Sequence, residues 1–73
     1  MSKHEQVYDI VSSIIGKDAE YIIANEDKPG LWDSLKRVEI VFSLEEQFDI
    51  MLSPEEIAEL NTVRSIINLV EKQ

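Results

Sequence analysis

The fold of this chain is decided by one stretch, residues 33–49, which reads DSLKRVEIVFSLEEQFD. At about 100° per residue, a helix brings four of its apolar side chains onto one arc, as in an amphipathic helix packed on a core. Those four are Ile40, Val41, Leu44 and Phe48. Asp33 is a favoured N-cap, because its carboxylate accepts hydrogen bonds from the free N–H groups of the first turn. We therefore predict a helix from Asp33 to about Phe48 or Asp49.

The same helix carries a second apolar arc, formed by Leu35, Val38 and Phe42. Carboxylates lie between or beside these three residues, at positions 39, 45, 46 and 49. Apolar side chains inside a charged rim are typical of a surface that binds a partner. Phe42 favours this interpretation most, because a phenyl ring on the charged side of a helix lowers solubility. The alternative is that the helix is buried on two sides in a tight bundle.

Three more helices are predicted around this one. The first covers about residues 2–15 and ends at Gly16, which takes the position of a C-terminal cap. A short helix over about residues 54–60 begins with a capping box, and the last helix follows Thr62 as its cap. Between the first two helices, residues 17–32 are predicted to form a long ordered loop. The prediction is an all-α four-helix bundle with three longer helices and a short third one.

The length and composition limit the classes of function that this chain can have. A chain of 73 residues is expected to form a single domain, over residues 1–73. A domain this small buries only about 60% of its unfolded surface, which leaves little for an internal catalytic cleft. With no cysteine and one histidine, neither a disulfide, a thiolate nucleophile nor a His-based metal site is expected. We therefore expect a protein that is not an enzyme and holds no metal.

The net charge limits the kinds of partner that this chain can bind. Acidic residues outnumber basic ones by 15 to 7, for a formal net charge of −8. This charge disfavours nucleic acid, because phosphate contacts need Lys and Arg, and it also disfavours anionic membrane surfaces. No apolar run approaches the roughly 20 residues of a membrane span. We expect a cytoplasmic protein whose partners present basic surfaces.

Ser34 is the second feature of the central stretch. It lies in the first turn of the predicted helix, beside Asp33 and after Pro29-Gly30, so its hydroxyl is expected to be exposed. No general base or nucleophile-elbow motif accompanies it, so the hydroxyl is expected to be modified and not reactive. Because free N–H groups favour anions, a helix start suits a phosphodiester. The alternative is that Ser34 merely begins the helix.

Three segments resemble the acyl carrier protein family: residues 33–35 (DSL), 38–41 (VEIV) and 44–50 (LEEQFDI). The likeness extends to residues 62–63, where the last helix opens as in family members, and covers nearly the whole chain. The tripeptide alone recurs by chance. The LEEQF run at the correct distance and the helical plan around it make the resemblance specific, and they imply the four-helix bundle of this family.

The resemblance implies a function for Ser34. This residue matches the family's serine that carries 4'-phosphopantetheine, with Asp33 beside it. A phosphopantetheinyl transferase would attach the group from coenzyme A, and its thiol would hold an acyl or aminoacyl cargo as a thioester. A loading ligase and downstream transferases or synthases would be the other partners of a carrier expected to act as a monomer.

Further positions match the family's binding surfaces. Those that meet the basic surfaces of partner enzymes are matched by Leu35, Val38, Glu39, Phe42, Glu45 and Glu46. Lys36 and Arg37 lie on the same helix and are expected to contact partners as well. Those that line an interior pocket for the acyl chain are matched by Val41, Leu44, Ile50 and Ile57.

Three residues depart from the fatty-acid type of carrier. Lys36 and Arg37 stand where an acidic residue commonly follows Asp-Ser-Leu, and Trp32 replaces a small residue before Asp33. Two cations beside the modification site change the choice of partner by electrostatic complementarity. This pattern is similar to stand-alone carriers of polyketide, aminoacyl or polysaccharide pathways. The alternatives are a carrier of fatty-acid synthesis and an unmodified helical interaction module, and Trp32 can also serve only as an apolar anchor for the loop.

Overall fold

A computed structural model describes residues 2–72 of the protein. The described chain forms five α-helices and no β-strand. The helices are α1 (Lys3–Ile15), α2 (Ala19–Ala24), α3 (Ser34–Phe48), α4 (Pro54–Ala58) and α5 (Val63–Lys72). Within this part of the chain, no helix has the length and apolar character needed to span a membrane. The predicted all-α fold is confirmed, with α1, α3 and α5 as the three long helices.

The structure adds one helix, α2, to the four that the sequence predicted. It lies inside the segment 17–32, which was predicted to be a loop. The Asp18 carboxylate caps α2 by accepting the Tyr21 N–H at 2.9 Å, and Ile22 attaches it to the core with 0% exposure. Six residues make fewer than two helical turns, so α2 does not show the repeated apolar spacing by which longer helices are recognised.

The other helix ends lie close to where the sequence predicted them. At the end of α3, Asp49 adopts the left-handed conformation with φ 55° and its N–H donates to the Glu45 carbonyl. The predicted capping box of α4 is formed, with reciprocal bonds between Ser53 and Glu56. The Thr62 hydroxyl accepts the Ser65 N–H at 3.0 Å, as expected of a cap for α5. At the starts of α4 and α5, the side-chain bonds satisfy backbone N–H groups that have no partner within the helix.

The core lies between α1 and the helices α2, α3 and α5 that pack against it. Its buried apolar side chains are Val7, Val11, Ile22, Ile40, Val41, Leu44, Leu52, Leu60, Val63, Ile66, Ile67 and Val70. The predicted core arc of α3 is confirmed, since three of its members are buried and the fourth, Phe48, is half-buried against them. Helix α4 stops at Ala58, before the predicted Leu60, and the chain then buries Leu60 in the core.

A polar network attaches the turn after α2 to α1 and α5. The Tyr8 hydroxyl donates to one carboxylate oxygen of Glu26 at 2.8 Å, and Arg64 donates to the other at 2.6 Å. Arg64 also donates to Asp27 at 3.0 Å. Partial burial, followed by the hydrogen bond and negative charge of Glu26, raises the pKa of Tyr8 above its ordinary value. The network fixes one end of the segment that leads to Ser34.

Candidate functional site

Ser34 is the first residue of α3, and it is exposed. The carboxylate of the preceding residue, Asp33, accepts the Lys36 N–H at 2.9 Å and is the N-cap that the sequence predicted. Because Asp33 caps the helix, the Ser34 hydroxyl is not needed for that role. An enzyme can therefore reach this hydroxyl without disturbing the start of the helix.

A shallow cleft of about 360 Å³ adjoins Ser34. Its lining comes from the loop before α3, the first turn of α3 and the loop before α5, and consists of Pro29, Gly30, Trp32, Asp33, Ser34, Arg37 and Asn61. Gly30 allows the loop to turn here, because its φ of 84° lies in the left-handed region that residues with a Cβ rarely adopt. Trp32 is half-buried and packs against the core, which supports its predicted role as an anchor for the loop.

The second arc of α3 faces solvent. Leu35 is 74% exposed, Val38 48% and Phe42 66%. The interpretation that α3 is buried on two sides is therefore wrong. Three exposed apolar side chains on one helix form a surface that a partner can cover.

The carboxylates around this arc have different environments. Glu39 is exposed and pairs with Lys36 at 3.5 Å, whereas the half-buried Glu45 accepts the Leu52 N–H at 2.9 Å. Glu46 is exposed and lines a cleft of about 500 Å³ between α1 and α3. Of the three, Glu45 is thus partly engaged in holding the loop after α3, while Glu46 remains open to solvent.

The two cations that follow Leu35 also differ. Lys36 is exposed and is engaged by Glu39, outside the cleft. Arg37 is half-buried and lines the cleft beside Ser34. From a half-buried position, an arginine can cover apolar surface with its stem while its head reaches water.

The four predicted pocket residues all belong to the core or its edge. Val41 and Leu44 are 7% and 0% exposed, and Ile50 and Ile57 are half-buried against the core. The two clefts described above are lined by other residues. A chain that entered between these four side chains would have to displace core contacts.

Comparison with known proteins agrees with this geometry. A family model described as a phosphopantetheine attachment site matches residues 5–70. An acyl carrier protein of Bdellovibrio bacteriovorus is 34% identical over 76 residues, covering 100% of this chain and 96% of that protein. This chain belongs to the acyl carrier protein family. Two further relatives are also acyl carrier proteins. The one from Buchnera aphidicola subsp. Acyrthosiphon pisum is 42% identical, over 89% of this chain and 75% of that protein. The one from Clostridium acetobutylicum is 36% identical, over 92% of this chain and 90% of that protein.

Membership defines the chemistry of this acyl carrier protein. It is a carrier and not a catalyst, and its prosthetic group is a covalently attached 4'-phosphopantetheine. It is therefore a substrate of a phosphopantetheinyl transferase and a partner of acyl-pathway enzymes. The site fits the group, because an exposed hydroxyl adjoins an open cleft that contains a guanidinium. A covalent prosthetic group also argues against the alternative of an unmodified interaction module.

Part of the site had no signal in the sequence of this carrier. Asn61 reaches the cleft from the loop before α5, far along the chain from Ser34. Pro29 and Gly30 precede Ser34 in the sequence, but only their packing in the folded chain brings them to the same cleft. The residues on α3 could be predicted because one helix orders them by spacing alone.

Proposed function

We propose that the phosphopantetheine arm of this carrier is attached to the Ser34 hydroxyl. Of the seven serines, Ser34 combines exposure, the start of a long helix and an adjoining cleft. The remaining six have other roles or positions. Ser2 and Ser53 are helix caps, and Ser12 and Ser65 donate to backbone carbonyls. Ser13 and Ser43 lie inside a helix. The single observation that carries the proposal is that the Ser34 hydroxyl is exposed and is not needed as a helix cap, because Asp33 caps α3.

The residues of the chain position the hydroxyl and leave it open. Asp33 fixes the first turn of α3 through its bond to the Lys36 N–H. A transferase can then join the Ser34 oxygen to the phosphorus of the phosphopantetheine half of coenzyme A. The new O–P bond forms as the pyrophosphate P–O bond of coenzyme A breaks, adenosine 3',5'-bisphosphate leaves, and the hydroxyl proton passes to a base of the transferase or to water. The bound group supplies a thiol for thioester chemistry, which a chain without cysteine lacks.

Delivery of the cargo depends on the exposed side of α3. Leu35, Val38 and Phe42 supply apolar contacts, and Glu39, Glu45 and Glu46 supply negative charge toward basic docking surfaces. Tethering raises the effective concentration of the intermediate at each enzyme, and the small interface lets the carrier leave again. The partners in this scheme are a loading ligase and the transferases or synthases that use its product.

Intact mass measurement tests the attachment site. The apo protein is incubated with coenzyme A and a broad-specificity phosphopantetheinyl transferase, and we expect one phosphopantetheine mass on the wild type and none on Ser34→Ala. Ser43→Ala is the matched control, since this serine also belongs to α3 but lies inside the helix. An equal mass gain on Ser34→Ala, or none on the wild type, would refute the proposal.

For the pathway, we propose a specialised one, with a polyketide, aminoacyl or polysaccharide precursor as cargo. Lys36, Arg37 and Trp32 support this choice, because they alter the charge and shape around Ser34 relative to the fatty-acid type. The second candidate is fatty-acid synthesis, and the relatives, which are named simply acyl carrier proteins, favour it. Mass spectrometry of the carrier isolated from its native cell, with cargo attached, distinguishes the two; a family of saturated acyl chains would refute the specialised pathway.

A further inference from the structure

Arg37 lines the cleft that adjoins the proposed attachment site, and no described residue forms an ion pair with it. Among residues 2–72, ion pairs engage His4, Lys36 and Arg64, and none engages Arg37. Arg37 is half-buried in the cleft, while the neighbouring Lys36 is exposed and bound to Glu39 outside it. Arg37 can therefore bind an anion in the cleft, whereas Lys36 faces solvent outside it.

Arg37 is the positively charged residue in the lining of the cleft, so it is the group there that can attract an anion. Asp33 and Arg37 are the charged residues of its lining, and the Asp33 carboxylate already accepts the Lys36 N–H. A phosphodiester on Ser34 would add a second negative charge directly beside Asp33. A guanidinium in the same cleft offsets this repulsion, and its planar set of donors matches phosphate oxygens.

The remaining lining suits the chain that follows the phosphate. Trp32 offers an aromatic surface, and Asn61 offers an amide that can both donate and accept hydrogen bonds. Pantetheine contains amide groups joined by short alkyl segments, so it can use both. The volume of about 360 Å³ is large enough for part of the arm but is open to solvent on one side.

We propose that Arg37 binds the phosphodiester on Ser34 and holds the first part of the arm in this cleft, against Trp32, whenever no enzyme engages it. This inference rests on the proposed attachment at Ser34. Arg37 is thus a binding residue for the carrier's own prosthetic group, and Lys36 is left to meet partners. Because a half-exposed ion pair is weak, an enzyme can draw the arm out of the cleft.

The single tryptophan makes the inference directly measurable. Trp32 is the only tryptophan of the chain, so one indole N–H signal in a nitrogen-15 NMR spectrum reports on the cleft. Wild type, Arg37→Gln and Lys36→Gln are each recorded in the apo form and after conversion to the holo form, with intact mass proving conversion and circular dichroism proving the fold. Lys36→Gln is the matched control, because it removes the same charge from the adjacent position outside the cleft.

We expect the indole signal to move on conversion of the wild type and of Lys36→Gln by the same amount. In Arg37→Gln the ratio of bound to released arm falls by a factor of about 1.5–5, the range for a partly exposed ion pair, and the shift shrinks accordingly. High salt reduces the wild-type shift in the same direction.

Three results would overturn the inference: an unmoved indole signal in converted wild type, an equal shift in Arg37→Gln and wild type, or an equal loss in Lys36→Gln. A missing mass gain on the wild type would instead refute the attachment at Ser34 itself.

Discussion

Replacing Phe42 by alanine separates the partner surface of this carrier from its core. The chain has two phenylalanines, and both lie on α3. Phe42 is 66% exposed, whereas Phe48 is half-buried and packs against the core. The same substitution at the two positions therefore removes contacts with a partner in one case and contacts within the carrier in the other.

The expected magnitudes follow from these exposures. Full burial of a phenylalanine side chain contributes about 1.5–3 kcal/mol. With 66% of Phe42 still exposed, a partner that covers it gains about 1–2 kcal/mol, and Phe42→Ala raises Kd or KM by about 5- to 30-fold. Phe48→Ala, at about half of the cost of a fully buried site, lowers the free energy of unfolding by roughly 1.5–2.5 kcal/mol.

Two measurements check this pair of variants. The KM of the apo carrier for a phosphopantetheinyl transferase reports on docking, and urea unfolding followed by circular dichroism reports on stability. We expect Phe42→Ala to change the first and Phe48→Ala the second. The reasoning is refuted if Phe42→Ala destabilises the carrier as much as Phe48→Ala does, or if only Phe48→Ala raises KM under conditions where it is folded.

Three other perturbations test single features. Tyr8→Phe removes the bond to Glu26 and lowers the free energy of unfolding by about 0.5–1.5 kcal/mol at neutral pH, measured by urea titration. Folding raises the pKa of Tyr8 above 10.0, so this contribution to the free energy of unfolding is complete below pH 10.0 and is lost as the pH rises through the folded-state pKa. The difference in free energy of unfolding between wild type and Tyr8→Phe therefore disappears at high pH. A difference that stays constant with pH would contradict this. Glu45→Gln destabilises the carrier through the Leu52 N–H, whereas Glu46→Gln only raises KM for basic partners at low salt; equal unfolding curves for the two would contradict it. Loading with longer acyl chains, but not with acetyl, shifts methyl NMR signals of the four predicted pocket residues, and no shift at any length would exclude the pocket.

The sequence predicts an element well where the element is long and capped by its own residues. Helix α3 has enough turns to show two arcs, and Asp33 and Asp49 bound it, so its buried side, its exposed side and the position of Ser34 all follow from spacing. The six residues of α2 show no such period, and Asp18 as a cap also suits a turn. Only burial of Ile22 distinguishes the helix from a loop, and burial is a property of the folded chain.

Contacts between distant segments are the part that the sequence could not predict. The network of Tyr8, Glu26 and Arg64 joins three elements, and each member alone resembles an ordinary surface residue. The cleft beside Ser34 depends in the same way on Asn61 from another loop. Local chemistry therefore suffices to propose Ser34 as the attachment residue, while the cleft beside it emerges only from tertiary packing.

The acidic residues of this carrier fall into groups with different surroundings. Residues 33–59 contain eight acidic and two basic side chains, a local net charge of −6 out of −8. Outside this region, carboxylates such as Glu26 and Asp27 are paired with Arg64 and contribute to the fold. On the exposed side of α3, we expect the carboxylates to speed encounter with a basic partner more than they strengthen the complex, because their charge is screened by salt. Only three apolar side chains are exposed there, so we expect the carrier to leave each enzyme readily.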